Sequence, residues 1–204
     1  MNIVFDLDGT LLDSKARLYE LFQHLVPSSL LSYKQYWELK GNKFTNQIIL
    51  AERFAYDNEA TAAFVKDWMQ LIETPEFLAL DSNFSGMHDA LSRLREQADL
   101  YVCTARQDRA AALDQLERLG LLEYFGQVLV TEQRTTKETL IALHVEGRTD
   151  MDWMLGDTGK DVQAGKAMDM NTCAVLSGFM NASSLRAYKP DLILESATDF
   201  RLDE

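Results

Sequence analysis

Six short apolar runs, alternating with helical periodicity over most of the sequence, leave this chain few folds to choose from. The runs are Ile3 to Leu7, Leu100 to Cys103, Val128 to Thr131, Trp153 to Leu155, Cys173 to Leu176 and, more weakly, Leu192 to Leu194. They are nearly continuous in apolar character rather than alternating, which is the pattern of parallel strands covered on both faces. Between them Met87, Ala90, Leu91 and Leu94 recur at helical spacing, as do Leu113, Leu116 and Leu119 ahead of Gly120, a C-terminal cap. Thr135-x-x-Glu138 predicts a capping box that opens a helix through Leu140, Ile141 and His144. Right-handed crossovers then make an α/β, doubly wound parallel sheet the economical architecture.

One stretch interrupts the alternation. From about Ser14 to Asn83 no strand is predicted, only helical stripes: Leu18, Leu21, Phe22 and Leu25 fall at i, i+3, i+4 and i+7, and Phe64, Val65, Trp68, Met69, Leu71 and Ile72 form another. Ile48, Ile49, Leu50 and Phe54 make a third, and Tyr33, Tyr36, Trp37, Phe44 and Trp68 are read as this unit's small core. The expected division is a core of residues 1–14 and 84–204 with a helical insert at 15–83. An insert directly after the first strand sits at the C-terminal edge of the sheet, where open α/β sheets bind ligands.

Composition narrows the partners. The 204 residues include 20 basic and 32 acidic side chains, for a net charge of −12. Such a field repels nucleic acid polymers and anionic lipid, so neither is an expected partner. Cys103 and Cys173 lie in apolar runs and are read as small buried hydrophobes; His24, His88 and His144 are scattered without metal-ligand spacing. No stretch approaches the ~20 apolar residues that span a bilayer, and Met1-Asn2-Ile3-Val4-Phe5 leads directly into acidic residues rather than an apolar leader. The expected location is cytoplasmic. Oligomeric state is not legible.

The chemistry concentrates at strand ends. Phe5-Asp6-Leu7-Asp8-Gly9-Thr10 places two carboxylates after the first apolar run. A calcium loop fails on count: with Asp6 at position one, position six is Leu11 and position twelve Arg17, where glycine and glutamate belong. Leu155-Gly156-Asp157-Thr158-Gly159-Lys160-Asp161 repeats the pattern, and the residue after Gly159-Lys160 excludes a phosphate-binding P-loop. In a parallel sheet Asp6, Asp8, Asp157 and Asp161 gather at one edge, where like charges repel unless a cation joins them; a hard one such as Mg²⁺ suits carboxylates. Lys137, in the first turn of its helix, is disfavoured there by the dipole by roughly 0.3–1 kcal/mol, so an anionic neighbour is expected. Thr104 adds a hydroxyl at the same edge.

Asp6-x-Asp8-Gly9-Thr10, Thr104 after an apolar strand, Lys137, and Gly156-Asp157-x-x-x-Asp161 resemble, in order, the four motifs of the haloacid dehalogenase superfamily, and the segment from Asp157 to Met170 is similar to its phosphatase branch, the phosphoglycolate phosphatase-like proteins. The resemblance implies a Rossmann-like core with a small α-helical cap and a phosphomonoester hydrolase acting on a small phosphorylated metabolite. It implies Asp6 as nucleophile, forming an aspartyl-phosphate, and Asp8 as general acid and then base. It further implies Mg²⁺ on Asp6, the Asp8 backbone carbonyl and Asp157, with Asp161 nearby, and Thr104 and Lys137 on the phosphoryl oxygens. Gly9 and Ala105 belong to the same expected phosphoryl-binding surface.

Two departures stand out. The lysine lies in Lys137-Glu138-Thr139-Leu140 rather than Lys-Pro-x-Pro, leaving Lys160 as an alternative, and Thr104 precedes Ala105-Arg106 where many relatives carry Asn. Arg106 is a candidate substrate contact or a solvated arginine. Lys43, in the turn Lys40-Gly41-Asn42-Lys43, is the candidate for reaching from the insert into the site. A phosphomutase using the same residues and a catalytically silent scaffold are the competing functions.

Overall fold

The computed structural model describes residues 1–202. Its centre is a six-stranded parallel sheet of β1 (Asn2–Phe5), β4 (Asp99–Thr104), β5 (Gln127–Val130), β6 (Trp153–Gly156), β7 (Asn171–Val175) and β8 (Leu192–Leu194). The spatial order is β5-β4-β1-β6-β7-β8. The chain builds outward from β1 through β4 to β5, then returns to the other side of β1 and builds outward again. That reversal opens a crevice between the C-terminal ends of β1 and β6, the place where doubly wound sheets bind ligands.

Both faces of the sheet are covered, as the unbroken apolar runs require. Ile3 and Phe5 point into one cluster with Leu91, Val102, Leu116, Val130 and Leu155. Val4, between them, faces the other side with Cys103, Leu129, Ile141 and Met154. The flanking helices are α6 (Met87–Arg95), α7 (Arg109–Arg118), α8 (Lys137–His144), α9 (Gly159–Ala167) and α10 (Ala182–Arg186). Met87, Ala90, Leu91 and Leu94 are all buried on α6, following their spacing. Gly120, at φ +70°, ends the α7 region in the left-handed conformation expected of a cap.

Two local readings need correction. The cap of α8 is Thr136, whose side chain accepts from the Thr139 N–H, not Thr135; the shift by one residue places Lys137 first in the helix. The stretch to Asn83 is also not free of strand: β2 (Leu12–Asp13) pairs antiparallel with β3 (Ser82–Asn83). Each is too short to carry a sequence signal.

Between β2 and β3 lie α1 (Lys15–Leu25), α2 (Tyr33–Gly41), α3 (Asn46–Phe54), α4 (Asn58–Leu71) and α5 (Pro75–Leu78). They enclose their own core of Phe22, Val26, Tyr36, Ile49, Leu50 and Phe64, with Trp37, Phe44 and Trp68 packed at its margin. Tyr33, expected inside, is 44% exposed and meets Tyr19 edge to face. No described helix is long and apolar enough to cross a membrane.

Candidate active site

β1 and β6 end at neighbouring points, so the residues that follow them, Asp6 and Asp157, are carried to the same place. β1 keeps its register through Asp6, whose N–H donates to the Leu155 carbonyl at 2.8 Å. The chain then folds back at once: the Leu11 and Leu12 N–H groups donate to the Leu7 carbonyl, both at 3.0 Å. Gly9 takes φ +84°, and a β-carbon there would lie 2.5 Å from the Asp157 carboxylate; only glycine fits on both counts. Gly178, beside Gly9, packs on the same carboxylate, where a β-carbon would collide with Asp157 Oδ2.

Asp161 comes from the first turn of α9 and points back over its start. Its Oδ2 accepts from the Thr158 N–H at 3.0 Å and the Thr158 hydroxyl at 2.6 Å, leaving Oδ1 for the Lys137 ammonium at 2.5 Å. Lys137 also donates to Asp6. Its unfavourable place at a helix start is thus offset by two carboxylates, the compensation its position demanded. Burial works against its charge, but Asp161 and Asp6 outweigh it and hold the amine protonated.

Oxygen atoms of Asp6, Asp157 and Asp161 all lie within 4.8 Å of one another, and all three residues are buried. The cost shows in their titration. Burial raises the Asp6 carboxyl to about 7, Lys137 pulling down against it and Asp161 adding to it. Burial, with Asp6 and Asp161, raises Asp157 well above the usual carboxylate range. Asp157 Oδ2 accepts from the Phe179 N–H at 2.6 Å, but its buried Oδ1 has no hydrogen-bond partner among the described residues. Hard oxygen donors, one of them orphaned, crowded with one amine between them, fit a small divalent cation.

Asp8 is held differently. Its Oδ1 accepts from Arg106 Nη2 and Ser14 Oγ, both at 2.7 Å, and from Arg17; its Oδ2 accepts from Arg106 Nε at 2.8 Å. Burial alone would raise this carboxyl; Arg106 and Arg17 overcome it and hold Asp8 far below the usual range. Both arginines also face Asp81, at 3.1 and 3.3 Å, and Gln115 donates to Asp81 at 2.9 Å. Arg106 is therefore neither solvated nor reaching outward but buried, an anchor for Asp8.

A cavity of about 290 Å³ joins these groups, lined by Asp6, Asp8, Thr104, Ala105, Arg106, Lys137, Asp157 and Asp161. Gly9 lies behind this lining, supporting Asp157. Lys43 does not reach it: its ammonium sits 4.5 Å above the Tyr188 ring, and its loop docks on the start of α10, where Asn181 N–H and Ser184 Oγ donate to the Gly41 carbonyl at 3.2 and 2.9 Å. Lys160 lines the cavity but makes no salt bridge among the described residues, so Lys137 is the lysine of the carboxylate nest. Arg17 and Asp81 went unread in the sequence. The available signal was Arg17 itself, a charge four residues before Leu21 on the buried stripe of α1.

The sequence matches the family described as haloacid dehalogenase-like hydrolase over residues 3–175. A pyrophosphatase of Oceanobacillus iheyensis is 24% identical over 97% of this chain and 93% of its own. A phosphoglycolate phosphatase of Synechococcus elongatus is 26% identical with the same coverages. Among solved structures, a haloacid dehalogenase-like family hydrolase from Streptococcus pneumoniae superposes with a TM-score of 0.77 at 21% identity, covering 96% of this chain and 94% of that one.

Proposed function

The chain belongs to the haloacid dehalogenase-like hydrolases and is a phosphatase, and from that premise we propose that it hydrolyses the phosphomonoester of a small metabolite, with Mg²⁺, through a phosphorylated Asp6. The observation that carries this reading is the buried triangle of Asp6, Asp157 and Asp161 with Lys137 donating into it. Asp6, the Asp8 backbone carbonyl and Asp157 would hold Mg²⁺, with Asp161 beside them; the bound ion supplies positive charge against the phosphoryl oxygens.

The Asp6 carboxylate attacks phosphorus and the ester oxygen leaves with its bonding electrons; water then attacks the acyl phosphate, returning Asp6 and free phosphate. Lys137 and the Thr104 hydroxyl hold phosphoryl oxygens. Asp8 gives a proton to the leaving oxygen and later takes one from the water. As it stands, Asp8 is an ionised acceptor with both oxygens engaged, so it serves that role only after an arginine contact gives way. Arg17 belongs to the helical insert, which makes the insert's position the natural control. The insert acts in this reading as a cap over the cleft.

The test is release of inorganic phosphate from 4-nitrophenyl phosphate: Mg²⁺-dependent in the native chain, absent in Asp6→Asn. No release under any metal condition would return the chain to a silent scaffold. An isomeric phosphate formed from a sugar phosphate, without free phosphate, would make it a mutase.

A further inference from the structure

We propose, resting on the hydrolase reading above, that the site selects phosphate esters of uncharged alcohols presenting a flat apolar face and rejects esters whose alcohol bears a second negative charge. The apolar part of the lining is made by Leu18 of α1, Trp68, Met69 and Ile72 of α4 and its end, and Phe179, which adjoins Asp157. None of the five is fully buried, so each keeps apolar surface open to the cavity. Two of the rings are braced from behind: Trp68 lies against Phe64 with centroids 5.6 Å apart, and Phe179 stacks on Trp37 at 5.3 Å. A braced ring offers a surface that loses little entropy when a planar group lands on it.

The cations of the cavity point the same way. Arg17 is divided among Asp8, Asp81 and the Ile72 carbonyl, which it meets at 3.2 Å. Arg106 is spent on Asp8, Asp81 and Gln115, and Lys137 on Asp6 and Asp161. Lys160 stands at the start of α9, beside the phosphoryl end. Besides Arg17, the charged insert residue among the described lining is Glu73, an anion; Lys15 lies outside the lining, its ammonium 5.6 Å from the Trp37 ring. A carboxylate on the alcohol would leave water for an apolar wall and a like charge; among the described lining residues the insert supplies no cation that is free of a carboxylate. The net charge of −12 opposes a trianionic ester more than a dianionic one at long range as well. The volume of about 290 Å³ is at the small end for ligand sites and holds a phosphoryl group with one ring-sized alcohol.

Phenylphosphonate and 4-carboxyphenylphosphonate, whose carbon–phosphorus bonds resist phosphatases, separate binding from turnover. Titration calorimetry with Mg²⁺ should give at least about tenfold tighter binding of phenylphosphonate. Trp68→Ala should weaken that binding about tenfold. Because Trp68 also packs in the insert, Leu18→Lys supplies an independent check: it should strengthen binding of the carboxylated compound about tenfold and narrow the preference. Equal affinity, tighter binding of the carboxylated compound, or no binding of either overturns the proposal. Phenyl phosphate and 4-carboxyphenyl phosphate then test turnover. Selective phosphonate binding with no phosphate released keeps the selectivity and defeats the hydrolase reading; equal kcat/KM on both esters keeps the hydrolase reading and defeats the selectivity.

Discussion

At the scale of single residues, the site divides its carboxylates by environment. Asp6 and Asp157 are crowded into excess negative charge, whereas Asp8 is surrounded by excess positive charge. Asp8→Asn should abolish turnover while circular dichroism stays native, since the amide keeps the shape but cannot exchange the proton; a near-native rate would remove Asp8 from the chemistry. Arg17→Met leaves Asp81 and part of Asp8 uncompensated and should cost about 3 kcal/mol in urea unfolding, with Asp81→Leu in the same chain recovering part of it. The thiols belong to the opposite class. Burial pushes Cys103 and Cys173 up to about 12, so neither should react with Ellman's reagent at pH 8 until the protein is unfolded. The acidic motif residues were legible because clustered carboxylates at strand ends are rare without a task. Arg17 and Asp81 were not: their meaning lies in a partner sixty-odd positions away, and a charge on a helix says nothing of what it will face.

At the scale of elements, the helical insert is fastened to the sheet by polar contacts a sequence pattern does not reveal. The Glu73 carboxylate accepts from the Gln107 and Asp108 N–H groups, both at 2.9 Å, at the start of α7. An anion there satisfies amides that the helix leaves unpaired and meets the positive end of its dipole. Glu73→Ala should cost about 1 kcal/mol of this contact, seen in hydrogen-exchange mass spectrometry as several-fold faster exchange around Gln107 and Asp108 with the β4 amides unchanged. Equal rates would show that the fastening lies elsewhere. The helices themselves were legible from their stripes, because an amphipathic stripe is set locally; the cap of α8 fell one residue later than the motif suggested, at Thr136, because two adjacent threonines offer the same capping hydroxyl.

At the scale of the whole molecule, the doubly wound parallel sheet was legible from short apolar strands and right-handed crossovers, and with it the gathering of Asp6 and Asp157 at one edge; the strand order was not. What stayed hidden was the docking of Lys43's loop on α10, a contact between distant segments. Proton linkage supplies a global prediction. Asp6 in the metal-free chain has its carboxyl raised from 3.8 to about 7, so the folded state holds that proton more tightly than the unfolded chain. Its contribution to stability is complete below pH ~4 and is lost as pH rises toward 7. Mg²⁺, binding the ionised form, should therefore raise the melting temperature little at pH 5 and most at pH 8, and EDTA should reverse the gain. A Mg²⁺ effect independent of pH would separate the ion from the carboxylate nest.

The pairing of Leu12 with Asn83 and Asp13 with Ser82 has an evolutionary corollary. The chain departs from the sheet and comes back at adjoining points, so everything between is a cassette whose length and contents are invisible to the strand register. Exchange of that cassette leaves the strand-end carboxylates Asp6 and Asp157 where they are, but it also carries away Arg17 and with it one of the two guanidinium groups that hold Asp8.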